Sequence, residues 1–511
     1  MLVEQSKNIS RHPNGRRWSK DFISTCLQLF NRSPKAYELL EQSKILLLPS
    51  KSVLILYKNA IKQDAGFDDA CFEWMHEEAL KNGMDEEHCV GGLIFDEMTI
   101  QTDIHFENNG GLLEMTGFTD IGQEGDICNK LRNGNCDKLM GTHILQLLFL
   151  GLNGFRFPFA HFVTKGIQAS ELYGLFWKAI RLLYTYGFKV LYTCMDGAQC
   201  NRTFLHVCLG DNPASFISSN PCYNFPVVFI MDISHVLKKI RNNILKSGNS
   251  KGSTRLLTLP DKSEIHWQMF TDYYAWDQQN ALQLHRKLTS EHFHMDNQLK
   301  MRNSLAEDLL SSEMCHCFTL YKNALGEKGK ILNGVIELLQ QTSKMVEIFR
   351  DKMPISNKSD KRLLKIKEVD VWFVQWENGI LNDTDIAKNK KMKCLMSKQC
   401  MEDIHSCLQG FLELTDNVFA LKTNIPITPA MINSDVIENV FCQQRATYNG
   451  ANANPSAYQY KHSINSILLG EQKISKKANA AMNAEPATPL FNISMPSNNK
   501  KRRTTCPKKS S

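Results

Sequence analysis

The spacing of apolar and polar positions changes several times along the chain, and each change marks a different kind of element. Over residues 19–60 the period is helical. Ser19 precedes Phe22, Cys26, Leu29 and Phe30; Ser33-Pro34 precedes Tyr37 and Leu40; Pro49-Ser50 precedes Val53, Leu54, Leu56 and Tyr57. A serine ahead of a recurring apolar face is an N-cap signal, and proline is tolerated in a first turn, so three short helices are predicted. From Val90 the pattern becomes strand-like: 91–100, 101–106 and 112–118 around the turn Glu107-Asn-Asn-Gly-Gly111, then an apolar run at 143–150 with 157–163 along the same edge. Leu172, Leu175, Phe176, Ala179, Ile180 and Leu183 return to a helical period that stops near Gly187. Residues 189–197 and 227–232 are apolar strands, and the second feeds a basic helix at 236–245. Residues 256–425 show helical periods, many charges and few β-branched runs, long enough for a separate helical domain. A last helical pattern covers 432–444, and beyond Gly470 the Asn/Ala/Pro/Ser-rich composition is that of a disordered tail.

Composition adds little until charge is placed. With 511 residues, 42% apolar and 22% charged, the chain is an ordinary globular protein of about three domains. The formal charge of +7 is unevenly spread. Residues 471–511 hold nine bases against two acids, and residues 1–58 hold ten against four, which leaves 59–470 at about −6. A globally basic nucleic-acid coat is excluded; basic arms around an acidic centre are not. The most apolar stretch, 139–162, is interrupted by His143, Gln146, Asn153 and Arg156, so no membrane span is expected. The 16 cysteines form no CxxC pair and no secretory signal precedes them, which reads as reduced thiols. Cys315-His-Cys317 alone cannot supply four tetrahedral zinc ligands. Lys500-Lys-Arg-Arg503 followed by Lys508-Lys509 has the pattern of a nuclear localisation signal, although a solvated tail has it too.

Candidate chemistry lies with the acids. Asp96 and Asp196 each leave an apolar strand, where a carboxylate is costly unless a cation or hydrogen bonds satisfy it. Two such strands side by side would aim both carboxylates at one spot, and Glu438, on a helix, would complete an oxygen cage for a hard divalent cation. An aspartate taken alone reads more readily as a cap or an ion-pair partner. Asp232 and His235 have i, i+3 metal-ligand spacing, but the commoner role of such a histidine is to hold its helix to the core.

Several segments resemble the P-element transposase family, which includes the THAP-domain transposase-like proteins of animals. They are Phe95-Asp-Glu-Met98, Met195-Asp-Gly-Ala-Gln-Cys-Asn201, the run from Asp232-Ile-Ser-His235 to Asn243, Asp435-Val-Ile-Glu438-Asn-Val-Phe441 and Gly450-Ala-Asn-Ala-Asn-Pro455. The resemblance runs from about Ser19 to Gly470. It implies an α/β fold: an RNase H-like catalytic core interrupted by a mostly helical, GTP-binding insertion, here preceded by a small helix-turn-helix-like unit. The implied division is 1–60 for that DNA-contacting unit, 61–89 for a helical linker, 90–255 and 426–470 for the two parts of the core, 256–425 for the insertion, and 471–511 for a disordered basic tail. Asp96, Asp196 and Glu438 match the family's acidic triad for Mg²⁺ or Mn²⁺, and the insertion explains the long gap before Glu438. Lys287-Leu-Thr289, His292 and Lys300-Met-Arg302 resemble its nucleotide motif; Lys287 and Arg302 would face phosphates and Asp435 the base. Where the family shows an aromatic followed directly by Asp, this chain has Phe349-Arg-Asp351. No GxxxxGK[ST] P-loop is present, and Asn357-Lys-Ser-Asp360, although it fits NKxD, is discounted without one.

The family's full-length members begin with a THAP zinc finger, and with only Cys26 in the first 70 residues none is encoded here. The N-terminal helices then offer either non-specific, salt-dependent phosphate contacts or a bundle for dimer contact. The expectation is a nuclear, homo-oligomeric, metal-dependent DNA transposase acting on transposon ends, with GTP as an assembly cofactor. The alternative is a domesticated, non-catalytic nuclear DNA-binding protein on the same fold.

Overall fold

A computed structural model of the chain describes residues 2–58, 63–109, 112–122, 127, 130–131, 138–211, 215–250, 252–421, 425–448 and 454–470. The centre is a six-stranded sheet. In chain order the strands are β1 (Val90–Thr99), β2 (His105–Asn109), β3 (Leu112–Thr116), β4 (His143–Gly151), β5 (Arg156–Thr164), β6 (Lys189–Met195), β7 (Ile217–Ser218) and β8 (Val227–Met231). The large sheet is ordered β5-β4-β1-β6-β8-β7. β5, β4 and β1 form an antiparallel meander, β1, β6 and β8 run parallel, and β7 closes the edge antiparallel to β8. The parallel strands are nearly continuous apolar runs because both of their faces are covered.

One expectation changes here. The strand expected at 101–106 begins only at His105 and pairs with β3 as a separate hairpin, so it takes no part in the large sheet. The apolar run of β4 replaces it: β4 pairs with β1 from Gly91↔Gly151 to Thr99↔His143 and is buried along almost its whole length. Burial decides the matter, since Phe106, Leu113 and Met115 of the hairpin stay exposed. The β1–β4–β6 approach is unusually close at two glycines. A Cβ on Gly91 would stand 2.3 Å from the Leu150 carbonyl oxygen, and one on Gly92 would stand 2.4 Å from the Tyr192 ring.

Helix Ala169–Thr185 packs against β6, stopped by Gly187 in the left-handed region. Residues 256–425 are mostly helical as expected, but they do not stand apart from the core. Their last long helix, Lys398–Ala420, lies on β8: Gly410 brings it close to the Phe229 carbonyl, and the Ser406 hydroxyl donates to that oxygen (3.0 Å) and accepts from the Met231 amide (3.2 Å). The apolar face of that helix therefore serves as a second layer of the sheet, which a linear reading of helical periods does not show. Further along, helix Ala457–Gly470 returns to the meander, where the Tyr460 hydroxyl donates to Gln146 Oε1 (2.6 Å) in the middle of β4. The polar residue that breaks the apolar run is thus satisfied inside the core.

At the N-terminus helices Lys20–Arg32, Pro34–Ser43 and Lys51–Lys58 form as the serines predict: Ser19, Ser33 and Ser50 accept from the Phe22, Ala36 and Val53 amides. An additional helix, Leu2–Asn8, precedes them. Phe22, Ile23, Cys26, Leu27, Tyr37 and Leu54 are buried together, and Lys20–Arg32 packs on Ala457–Gly470. Leu29 and Leu56 are exposed, contrary to their place in the apolar pattern. Among the described residues no helix is long and apolar enough to cross a membrane. The tail 471–511, with its basic run, and most of Gly450–Pro455 lie outside the described residues.

Candidate active site and nucleotide-binding region

Asp96 and Asp196 meet because of strand register. β1 and β6 pair in parallel up to Ile94↔Cys194; Asp96 sits two residues further along β1 and Asp196 two residues further along the chain, just past the end of β6. The neighbouring Glu97 points to the other face, where its Oε1 accepts from Thr164 Oγ1 and from the Ile167 amide (3.0 Å) and closes the end of β5. Asp196 is held in one orientation, its Oδ1 accepting from the Ala198 amide (3.0 Å) and from Asn201 Nδ2 (2.7 Å). Asp96 Oδ1 accepts from the Glu97 amide (2.8 Å). Burial, and then the nearby charges of Asp196 and Glu438, push the Asp96 carboxyl from 3.8 up to about 7. Like-charged oxygens are thus gathered in a partly dry place, and near neutrality a proton supplies part of the missing positive charge.

Glu438 arrives from the other end of the chain, in the first turn of helix Asp435–Tyr448, which packs on β1. Asp232 organises this arrival. Its Oδ2 caps helix Ile233–Leu245 through the His235 amide (3.1 Å), while its Oδ1 accepts from the Ser434 amide (3.1 Å) just ahead of the second helix. His235 Nε2 then stands 3.4 Å from Glu438 Oε1. Burial alone would lower the His235 imidazole, but Glu438, Asp232 and Asp196 hold it above its ordinary value; Glu438 is held below its own, His235 outweighing burial. Asp232 is therefore occupied as a cap, and His235 holds its helix to the Glu438 helix. A serine or aspartate cap signal was readable at Asp232; the 203-residue reach from His235 to Glu438 was not.

Arg350 was missed by sequence reasoning. As the residue between Phe349 and Asp351 it donates to Glu307 and to Ser234 Oγ (2.7 Å), and it stands 3.6 Å from Asp435 Oδ2. It ties the insertion to the core helix and to the helix bearing Glu438. Burial pushes the Asp435 carboxyl up to about 7, against the pull of Arg350, and its Oδ1 is buried without a hydrogen bond.

The nucleotide-motif residues are differently placed. Lys287 lies 3.9 Å from Asp308 and 4.0 Å from Glu313, and Arg302 donates to Glu291 at 2.6 Å. Asp435 is paired with neither; its cation is Arg350. Phe349 is buried edge-on against Phe411 (5.2 Å), and Asp351 pairs with Arg362 (2.6 Å), so neither presents a free ring or carboxylate to a base. Asp360 of the NKxD match is the N-cap of helix Lys361–Asn382, an ordinary helix start. Two buried groups near the motif have unmet hydrogen-bonding capacity: both ring nitrogens of His285 and both amide atoms of Asn303. Unsatisfied buried polar atoms are rare, and a bound ligand is one way to satisfy them.

A mixed sheet in this order, with acids at the ends of adjacent parallel strands and a helical insertion before the third acid, is an RNase H-like core. Family comparison agrees: residues 63–208 match the TNP-like RNase H N-terminal domain and residues 234–363 the TNP-like GTP-binding insertion domain. The chain belongs to the P-element transposase-like family. Among solved structures, the Drosophila P element transposase strand transfer complex shares the fold with a TM-score of 0.70 at 18% identity, over 92% of this chain and 96% of that one. No curated protein sequence is significantly similar to this chain.

Among the described residues no three His, Cys, Asp or Glu side chains stand close enough to form a ready-made metal cage. The donor set nonetheless fits a hard cation: three carboxylates, with Asp96 buried and within reach of the charges of Asp196 and Glu438. The unmet groups of His285 and Asn303 likewise leave the insertion able to take a polar ligand.

Proposed function

We propose that this chain is a metal-dependent DNA transposase in which Asp96, Asp196 and Glu438 hold Mg²⁺ or Mn²⁺. The observation that carries the reading is a buried Asp96 carboxyl, raised to about 7 first by burial and then by the nearby charges of Asp196 and Glu438. A divalent cation supplies, when bound, polarisation of the phosphate and neutralisation of the charge that develops on it. Asn201 fixes the Asp196 carboxylate, and His235 holds Glu438 toward the strand ends. The substrate is DNA, with transposon ends as the cleaved species. Asp96→Asn, Asp196→Asn and Glu438→Gln should each abolish Mg²⁺-dependent nicking of end-containing DNA while the protein still melts cooperatively. Undiminished nicking by all three variants would sink the proposal.

The pairing of Glu438 with His235 favours one alternative, a non-catalytic nuclear DNA-binding descendant in which that acid has become structural. Binding without nicking by the unaltered protein, at any divalent concentration, would select it.

GTP in this reading is an assembly ligand of the insertion, with Lys287 and Arg302 turned from their surface acids toward phosphates. It should raise the melting temperature, by about 2.7 kcal/mol of stabilisation at a hundredfold excess over Kd. Lys287→Gln should blunt that shift, and no shift with the unaltered protein counts against GTP. A homo-oligomer brought to the nucleus by the Lys500–Arg503 run completes the proposal, checked by light scattering and by deleting that run.

A further inference from the structure

One residue beyond Asp196 the chain borders a cavity of about 440 Å³, and none of the three acids lines it. Its wall carries four cations, Arg202, Lys239, Lys246 and Arg255. Arg202 and Lys239 share one buried carboxylate, Asp403, each at 2.6 Å, and Glu402 stands 3.6 Å from Arg202. Arg255 instead donates to the carbonyl oxygens of Met392 (3.1 Å) and Leu395 (2.7 Å). Neither Arg255 nor Lys246 has an acidic partner among the described residues. Four cations against two acids leave a wall with an excess of positive charge.

The backbone adds to that field. Helix Gln199–Leu209, which has no side-chain cap, and helix Lys398–Ala420, capped by Ser397, both begin at this wall, so two positive dipole ends border the space. Gly197 makes the arrangement possible. A Cβ there would stand 1.8 Å from Lys239 Nζ and 2.6 Å from Arg202 Nη2, so only glycine lets both cations close over the end of β6.

The lining is as informative for what it lacks. Besides the cations and Gly197 it consists of Gln, Asn and Ser residues, with no aromatic or aliphatic residue among them. A base would find no aromatic ring to stack on, whereas phosphate and sugar oxygens would meet many donors. We propose that this cavity seats a backbone phosphate of the DNA strand that passes over Asp196, held without regard to base sequence. Naming that strand rests on the catalytic reading of Asp196; the phosphate site itself does not.

The test uses Lys246, which is exposed and whose side chain has no partner among the described residues. Lys246→Gln and Lys246→Arg are compared with the unaltered chain for binding a labelled DNA duplex by fluorescence anisotropy, in EDTA, across a salt series. With one phosphate contact removed, the slope of log K against log salt should fall by about 0.9, equally for end-containing and unrelated DNA. The arginine variant should keep the slope. An unchanged slope in Lys246→Gln, at an unchanged melting temperature, overturns the proposal. A free nucleotide shares the phosphate chemistry, so GTP binding is measured on the same variants; weakened GTP binding with an intact DNA slope would make the cavity a nucleotide site and also overturn it. No cleavage is read, so inactive acid variants and a failed phosphate site are separate outcomes.

Discussion

Replacing Arg350 by methionine keeps much of its volume and removes a cation that joins insertion, core helix and Glu438 helix. Glu307 and Asp435 then face each other without it. At 3.6 Å and an effective dielectric of about 20, the Arg350–Asp435 attraction alone is roughly 332/(20 × 3.6), about 5 kcal/mol. Breaking a fully buried pair costs about 3–5 kcal/mol; with about a quarter of each of these two side chains exposed, screening should reduce that to about 2–3. The cost should depend on pH with a definite sign. The Asp435 carboxyl is already raised to about 7 with Arg350 present, and without the guanidinium it must rise further. A raised acid binds more protons folded than unfolded, so it weakens the fold as pH rises from the unfolded value through the folded one. The Arg350→Met penalty should therefore be small near pH 5 and largest at about pH 8. Thermal melts in EDTA at both pH values check this, with Arg350→Lys as the variant that keeps the charge. Adding Asp435→Asn to Arg350→Met should recover much of the loss at the higher pH. A penalty of equal size at both pH values would refute the electrostatic account and leave only lost packing.

Gly92→Ala should destabilise by about 1–3 kcal/mol, because a Cβ 2.4 Å from the buried Tyr192 ring overpacks the β1–β6 contact; the urea midpoint reads it. Asp96→Asn should stabilise the metal-free protein at about pH 8 and leave it unchanged near pH 4. The rise from 3.8 to about 7 sets an upper bound of roughly 4 kcal/mol on that gain. Mg²⁺ should then stabilise the unaltered chain more than the variant, as melting curves with and without the ion would show.

Local signals were legible wherever a short-range rule decides the outcome. The caps at Ser19, Ser33 and Ser50, the stop at Gly187 and the apolar strands ending near Asp96 and Asp196 each depend on residues within a turn or a ladder step. Leu29 and Leu56 fit the same helical period yet stay exposed, since a period identifies a face without supplying a partner to cover it. The strand pattern at 101–106 and 112–118 left the pairing of the hairpin β2–β3 open for a related reason: alternation shows that a strand forms, while pairing depends on which edge is free.

The family resemblance points to Glu438 as a third candidate acid and to Asp435 as a base contact. Residue type suited a base contact, but the fold places it against Arg350, a residue that the departure Phe349-Arg-Asp351 introduces. The same holds for Arg202 and Lys239, unremarkable in the sequence until Asp403 gathers them beside Gly197.

By itself, then, the chain's order of residues determines its helices, strands and turns, and which acids leave apolar strands. Only the tertiary structure decides that β4 rather than the hairpin completes the meander, that helix Lys398–Ala420 covers the sheet, and that Glu438 reaches the ends of β1 and β6. Propensity and capping act over a few residues, whereas burial and charge act between groups hundreds of residues apart, and their balance exists only once the chain is folded.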